Sequence, residues 1–154
     1  MSATAPSSTD LVTVFIDGAS LGNPGPAGLG AVFLDAQGRT RLQLRKYLGE
    51  TTNNVAEYLA LVYALHEACR RGWQRLAVKT DSELLARQMN GQYQVRDATL
   101  RLLHDLARTL QAGCAACAIE HIPRERNARA DRLAGEAAKS RREGALVIVP
   151  PDAL

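Results

Sequence analysis

The sequence predicts an α/β domain: a five-stranded mixed sheet, three antiparallel strands then two parallel ones, flanked by helices. Three observations lead there. The stretches 11–16, 29–34 and 39–48 are short, apolar or alternating runs joined by glycine-containing connections, as in a meander. Beyond them, apolar spacing of three and four residues alternates with further strand-like runs. Two of the strands, Leu11 to Ile16 and Arg75 to Thr80, run straight into an aspartate, Asp17 and Asp81.

The first strand, Leu11-Val12-Thr13-Val14-Phe15-Ile16, can bury both of its faces, which suits a central position. Asp17 follows it and opens a loop, Gly18 to Gly28, that glycine and proline keep tight. A carboxylate there is either a solvated turn residue or a buried group that needs a partner or a metal. The second strand is Leu29 to Leu34, and Asp35-Ala36-Gln37-Gly38 turns into a third, Arg39 to Leu48. In that strand Leu42 and Leu44 alternate with Arg41, Gln43 and Arg45, so one face is expected to be wet.

Thr51-Thr52-Asn53-Asn54 caps a helix over 55–71, with Tyr58, Leu61, Val62, Leu65 and Cys69 as its core face. Glu57 falls in the first turn, where the helix dipole favours it whatever else it does. Arg75 to Thr80 is the fourth strand. Asp81 or Ser82 can cap the short helix to Met89, which Asn90-Gly91 stops. Asp97 or Thr99 starts another helix, with Leu100, Leu103, Leu106, Ala107 and Leu110 inward, ending near Gly113. Ala115 to Ile122 is the fifth strand, and the last helix runs from about Ala128 to Arg142. Domain organisation follows: 1–10 a flexible tail, 11–142 the folded domain, 143–154 a tail whose apolar run Ala145 to Val149 packs on the core or pairs at an edge.

Composition is that of an ordinary globular protein, with 46% hydrophobic and 23% charged residues over 154 positions. No run approaches a membrane span, and the N-terminus has no basic-then-apolar leader, so a soluble, cytoplasmic protein with no membrane partner is expected; a monomer is the expected state. The net charge is only +3, but Arg124, Arg126, Arg129, Arg132, Lys139, Arg141 and Arg142 crowd the last third. That suits a polyanion, a solvated basic face being the alternative. Cys69, Cys114 and Cys117 suggest no disulfide framework. The Cys114–Cys117 spacing lacks the second pair that a zinc site needs, so all three read as small buried residues.

If the first and fourth strands are parallel neighbours, Asp17 and Asp81 meet at one crevice at their carboxyl ends. Glu57 and Asp131, the latter within Asn127-Ala128-Arg129-Ala130-Asp131-Arg132-Leu133-Ala134, complete a set of four acidic groups. Four carboxylates in one crevice repel unless cations neutralise them, and an all-oxygen set selects hard ions such as Mg²⁺ or Mn²⁺.

These residues carry a resemblance to type 1 ribonuclease H. It runs from about Leu11 to Lys139 and rests on Asp17-Gly18-Ala19-Ser20 with Gly22-Asn23-Pro24-Gly25, on Thr52-Asn53-Asn54 before Glu57, on Thr80-Asp81-Ser82, and on the motif from Asn127 to Ala134. The resemblance implies the ribonuclease H-like fold and an endonuclease that cuts the RNA strand of RNA–DNA hybrids, leaving 5′-phosphate and 3′-hydroxyl ends. It implies two Mg²⁺ ions, with Mn²⁺ as a substitute, on Asp17, Glu57, Asp81 and Asp131. Asp17 would bridge both ions, Asp131 would help hold the one that activates water, and Glu57 and Asp81 the one at the leaving oxygen. Substrate contacts are implied for Gly18, Ala19, Ser20, Asn23, Gly25, Thr52, Asn53, Asn54 and Asn127. Thr52 would take a phosphate of the DNA strand, and the asparagines would donate to 2′-hydroxyls, base edges or phosphates.

The chain departs from longer relatives in two respects. The segment after Asp81 is too short for their basic, tryptophan-rich protrusion, and Trp73 is the only tryptophan. The loop before Asp131 is also too short for their product-release histidine. Arg124, then Glu125, are the candidates to replace it, with His121 read as a strand-end residue. Double-stranded RNA stands as a second substrate. The competing readings are a catalytically inactive nucleic-acid-binding domain of the same fold and, behind it, a resolvase- or integrase-like enzyme.

Overall fold

The first strand lies near the middle of the sheet, as its two apolar faces require. The computed structural model describes residues 4–151. β1 (Leu11–Ser20) pairs antiparallel with β2 (Gly25–Leu34), which pairs antiparallel with β3 (Thr40–Thr51). On its other edge β1 pairs parallel with β4 (Arg75–Thr80), and β4 pairs parallel with β5 (Ala116–His121). The expected order of three antiparallel strands and then two parallel ones is therefore present.

The sheet has six strands rather than five. β6 (Val147–Ile148) adds to the outer edge of β3, giving the order β5-β4-β1-β2-β3-β6. The stretch read as a C-terminal tail is thus part of the sheet. Its attachment uses Gln43, whose side-chain nitrogen donates to the Pro150 carbonyl at 3.0 Å and whose own carbonyl accepts from Val149 N. Gln43 is fully buried and Arg41 and Arg45 are half-buried, so the face of β3 expected to be wet is partly covered.

Two helices cover opposite faces. α1 (Asn53–Arg70) lies over the face carrying Val12, Val14, Ile16, Leu29, Ala31 and Phe33, and its Tyr58, Leu61 and Leu65 complete the main core. α4 (Ala128–Ser140) lies over the other, where Phe15, Val32, Leu34, Leu133 and Val149 form a smaller cluster. Its approach is very close. A Cβ on Gly28 would sit 2.5 Å from the carbonyl oxygen of Ala134, and one on Gly30 2.5 Å from that of Ala130. α2 (Glu83–Met89) and α3 (Ala98–Ala112) follow β4, with Ser82 and Asp97 as their caps. A 3-10 turn, Arg124–Arg126, leads into α4.

Several local expectations meet a different structure. The glycine-rich segment after Asp17 is mostly strand: β1 continues to Ser20 and β2 begins at Gly25, which leaves a four-residue connection with a cis Asn23–Pro24 bond. Leu106, expected inward, is 45% exposed because it falls to the side of the helix face that buries Leu100 and Ala107. Cys69 is exposed, and Cys114 and Cys117 are only half-buried; burial raises the thiol pKa of Cys114 and pushes that of Cys117 up to about 12. Of the stretch read as a flexible N-terminal tail, residues 7–10 form a hydrogen-bonded turn and Arg41 binds the Thr4 carbonyl; Met1–Ala3 lie outside the described residues. No helix among the described residues is long and apolar enough to cross a membrane.

Candidate active site

Pairing between β1 and β4 ends at Ile16 and Thr80. The next residue along each chain is an aspartate, so Asp17 and Asp81 stand side by side where that pairing ends. Asp17 is still inside β1, paired with Gly30 of β2, and is 4% exposed. Asp81 is spared a capping role because the Ser82 hydroxyl caps α2, accepting from Leu85 N at 3.2 Å.

Glu57 is brought in by the contact between β1 and the first turns of α1. Gly18 lies so close to α1 that a Cβ there would meet the Ala56 carbonyl carbon at 2.3 Å and Glu57 N at 2.4 Å. Across this contact Gly18 N donates to the Glu57 carboxylate at 2.6 Å, which fixes its direction. One carboxylate oxygen from each of Asp17, Glu57 and Asp81 lies within 4.8 Å of the others, an arrangement that could hold a metal ion.

Asp131 comes from α4, on the opposite side of the sheet from α1. It is not in that group of three, but it lines the same cavity of about 580 Å³ and adds to the influences that raise the Asp17 carboxyl. What places it is Asn127, 1% exposed, whose amide nitrogen donates to the Ile16 carbonyl at 2.8 Å and ties the start of α4 to the strand that carries Asp17. Its burial and this bond make Asn127 a brace between α4 and β1.

The electrostatics follow from the placement. Burial, then the charges of Glu57 and Asp81, hold the Asp17 carboxyl far above the ordinary carboxylate range. Glu57 is raised as well, by burial and then by the charge of Asp81, although its bond from Gly18 N works the other way. The cations lining the cavity are Arg124 and Lys139. Arg124 stands 3.9 Å from the Asp131 carboxylate with 79% of its side chain exposed, so it screens the cluster weakly. A carboxylate set with Asp17 buried, Glu57 and Asp81 half-buried and so little cationic compensation is chemically suited to hard divalent ions. Glu125, the second candidate beside Arg124, lines a separate apolar hollow with Phe15 and Val32. His121 is exposed at the last residue of β5.

The expected substrate contacts divide between two neighbouring hollows. Gly18, Ala19, Ser20 and Asn53 line the acidic cavity; Asn23, Thr52 and Asn54 line an adjoining one of about 400 Å³ with Thr51, Asp97 and Thr99. Asn23 and Asn53 are held in series. The Asn53 side-chain oxygen accepts from Ser20 N and the Asn23 side-chain oxygen from Asn53 N, both at 2.8 Å. Each amide thus spends its acceptor on the backbone and keeps its two donor hydrogens for a ligand. Thr52 caps α1, accepting from Val55 N at 3.3 Å, with its own hydroxyl proton still available. Gly25 is buried, and a side chain there would strike the Leu21 carbonyl oxygen at 2.1 Å, so its role is to close the β1–β2 turn. Leu21, Gly135 and Lys139 complete the lining of this cavity; Lys139 was expected only as one of the basic residues suited to a polyanion, and the spacing of Gly135 and Lys139, four and eight residues from Asp131, was the signal that places them here.

Comparison with known proteins agrees with this fold. A family model described as reverse transcriptase-like matches residues 15–137. Ribonuclease HI of Halobacterium salinarum is 40% identical over 126 residues, covering 82% of this chain, and its crystal structure superposes with a TM-score of 0.82 at 39% identity, covering 84% of this chain and 98% of the crystallised one. A bifunctional protein of Mycobacterium tuberculosis is 39% identical over 141 residues, covering 91% of this chain. The chain spans 63% of the length of the halobacterial relative and 39% of the mycobacterial one. A third relative, LC11-RNase H1, was crystallised in complex with RNA/DNA hybrid; its structure superposes with a TM-score of 0.80 at 41% identity, covering 84% of this chain and 97% of that one.

Proposed function

Because the chain belongs to the reverse transcriptase-like family, with the ribonuclease H fold, we propose that it is a metal-dependent endonuclease that hydrolyses the RNA strand of RNA–DNA hybrids. The observation that carries the reading is the convergence of Asp17, Glu57 and Asp81 within 4.8 Å, with Asp131 on the wall of the same cavity.

Asp17, beside all three of the other carboxylates, would be shared between two Mg²⁺ ions, with Asp131 on one side and Glu57 and Asp81 on the other. When bound, such ions supply Lewis acidity at phosphorus and lower the pKa of water, so that hydrolysis leaves 5′-phosphate and 3′-hydroxyl ends. Mn²⁺, equally suited to oxygen ligands, would substitute.

The chain's own groups orient the strand. The donor amides of Asn23 and Asn53 suit acceptors in a minor groove, the 2′-hydroxyl among them, and that group distinguishes RNA from DNA. Thr52 and Asn54, in the adjoining hollow, suit a phosphate of the complementary strand. Arg124 on the rim suits the departing end.

The test is cleavage of end-labelled RNA–DNA hybrid, double-stranded RNA and single-stranded RNA, each with Mg²⁺, with Mn²⁺ and with chelator. Hybrid should be cut internally with either metal and survive in chelator, with double-stranded RNA a slower second substrate. Hybrid bound but left whole in both metals would leave a binding domain and end the proposal.

A further inference from the structure

Gly135 lies in the middle of α4, where glycine is the least favourable residue after proline. Glycine at Gly28 and Gly30 is explained by the close approach of α4 to β2. Gly135 has no such explanation: its backbone is not in the left-handed region, and a Cβ there would meet nothing within 4 Å. The protein itself does not need this glycine.

Its position supplies a reason. Asp131, Gly135 and Lys139 stand at i, i+4 and i+8 on α4, on one face and about 12 Å from end to end. All three line the acidic cavity. The Lys139 side chain is exposed, and among the described residues its ammonium has no carboxylate within 4.0 Å. The cavity is thus a gutter with carboxylates at one end, open floor in the middle and an unpaired cation at the other end.

We propose that Gly135 clears the path of the cleaved strand and that Lys139 holds one of its phosphates beyond the cut. This rests on the nuclease reading above. A strand seated on the carboxylates continues along the same cavity. The distance places the held phosphate some two or three nucleotides from the cut, since the backbone rises only about 3.4 Å per nucleotide and winds as it goes. Lys139 acts as a positioning residue, a point charge that offsets the repulsion between the acidic end and the incoming polyanion.

The experiment uses the full chain with Mg²⁺ and a labelled hybrid, at several monovalent salt concentrations, with thermal melting alongside. Lys139→Ala should raise KM about fivefold at low salt, leave kcat within about twofold, and reduce the slope of log KM against log salt by about one, the signature of one lost phosphate contact. Lys139→Arg should restore most of it. Gly135→Ala should raise Tm, and Gly135→Gln should raise KM without lowering Tm. A lysine that only complements the negative end of the helix would move Tm and leave KM alone.

A second measurement replaces single phosphates of the cleaved strand by neutral methylphosphonates. The replacement two or three positions from the cut should slow the wild type and leave Lys139→Ala unaffected. An equal penalty in both proteins, or an unchanged KM and salt slope for Lys139→Ala, overturns this assignment while the nuclease reading stands. A wild type that leaves hybrid intact overturns both.

Discussion

Asn127 donates its side-chain amide to the carbonyl of Ile16 at 2.8 Å, joining residues 111 apart in the chain and fixing the helix of Asp131 against the strand of Asp17. The bond is buried, and the other atom of the same amide, Oδ1, has no partner within the protein. The side chain is therefore held on one side only, by the contact that sets the distance between two of the four carboxylates.

Asn127→Ala leaves the Ile16 carbonyl buried and without its donor, at a cost of about 1–3 kcal/mol. Chemical denaturation should show that loss, and hybrid cleavage should fall because Asp131 is no longer braced. A denaturation midpoint equal to that of the wild type would mean the bond is dispensable.

Asp17→Asn removes the charge that meets all the others. Cleavage should fall by more than about a hundredfold, beyond the ten- to hundredfold typical of losing a group that only orients a ligand. The metal-free variant should nonetheless melt at or above the wild-type temperature, since a buried repulsive charge is gone. Substantial residual activity would remove Asp17 from the reaction.

The raised carboxyl pKa values of Asp17 and Glu57 make stability depend on pH in a definite direction. A carboxyl group with a folded pKa above its unfolded one binds more protons when folded. Its contribution is complete below the unfolded value, about 4, and is lost as pH rises towards the folded value. In chelator, Tm should therefore fall from pH 5 to pH 8, and added Mg²⁺ should flatten the fall by binding the ionised forms. A metal-free Tm that rises over that range would contradict the electrostatic account of the cluster.

Arg124 is mostly exposed, and its 3.9 Å contact with Asp131 is too loose to matter for folding. Arg124→Ala should leave Tm within about 1 °C, as expected for an exposed ion pair, and lower kcat several-fold while changing KM less. Full turnover in this variant would leave the rim without an auxiliary group at that position.

Gly30→Ala places a methyl group 2.5 Å from the Ala130 carbonyl oxygen and 2.8 Å from Ala134 N, both backbone atoms of α4. The helix must lift, at a cost of about 1–3 kcal/mol or more, and Asp131 moves with it. Loss of stability with loss of activity is expected; a variant as stable as the wild type would mean that α4 is less tightly seated than described.

The pattern of apolar runs, caps and turns was sufficient to predict the succession of elements and to mark Asp17, Glu57, Asp81 and Asp131, because each sits at a place where local chemistry changes: a strand meeting an acid, a helix opening, a motif around a carboxylate. Asp97 could be read as a cap of α3 for the same reason, the hydrogen bond being only three residues long. Sequence by itself determined these features because they depend on neighbours within a few positions.

What only the tertiary structure decided depends on residues far apart. Gln43 looked solvated because strand alternation says which residues share a face, and not whether a helix and the segment 147–150 will cover that face. That Asn127 braces α4 could not be read locally, because its partner is Ile16, far away in the chain. The spacing of Asp131, Gly135 and Lys139 was plain from the start, but it acquired meaning only when α4 was laid along the carboxylates. A period of four names a helix face; only packing says what that face looks onto.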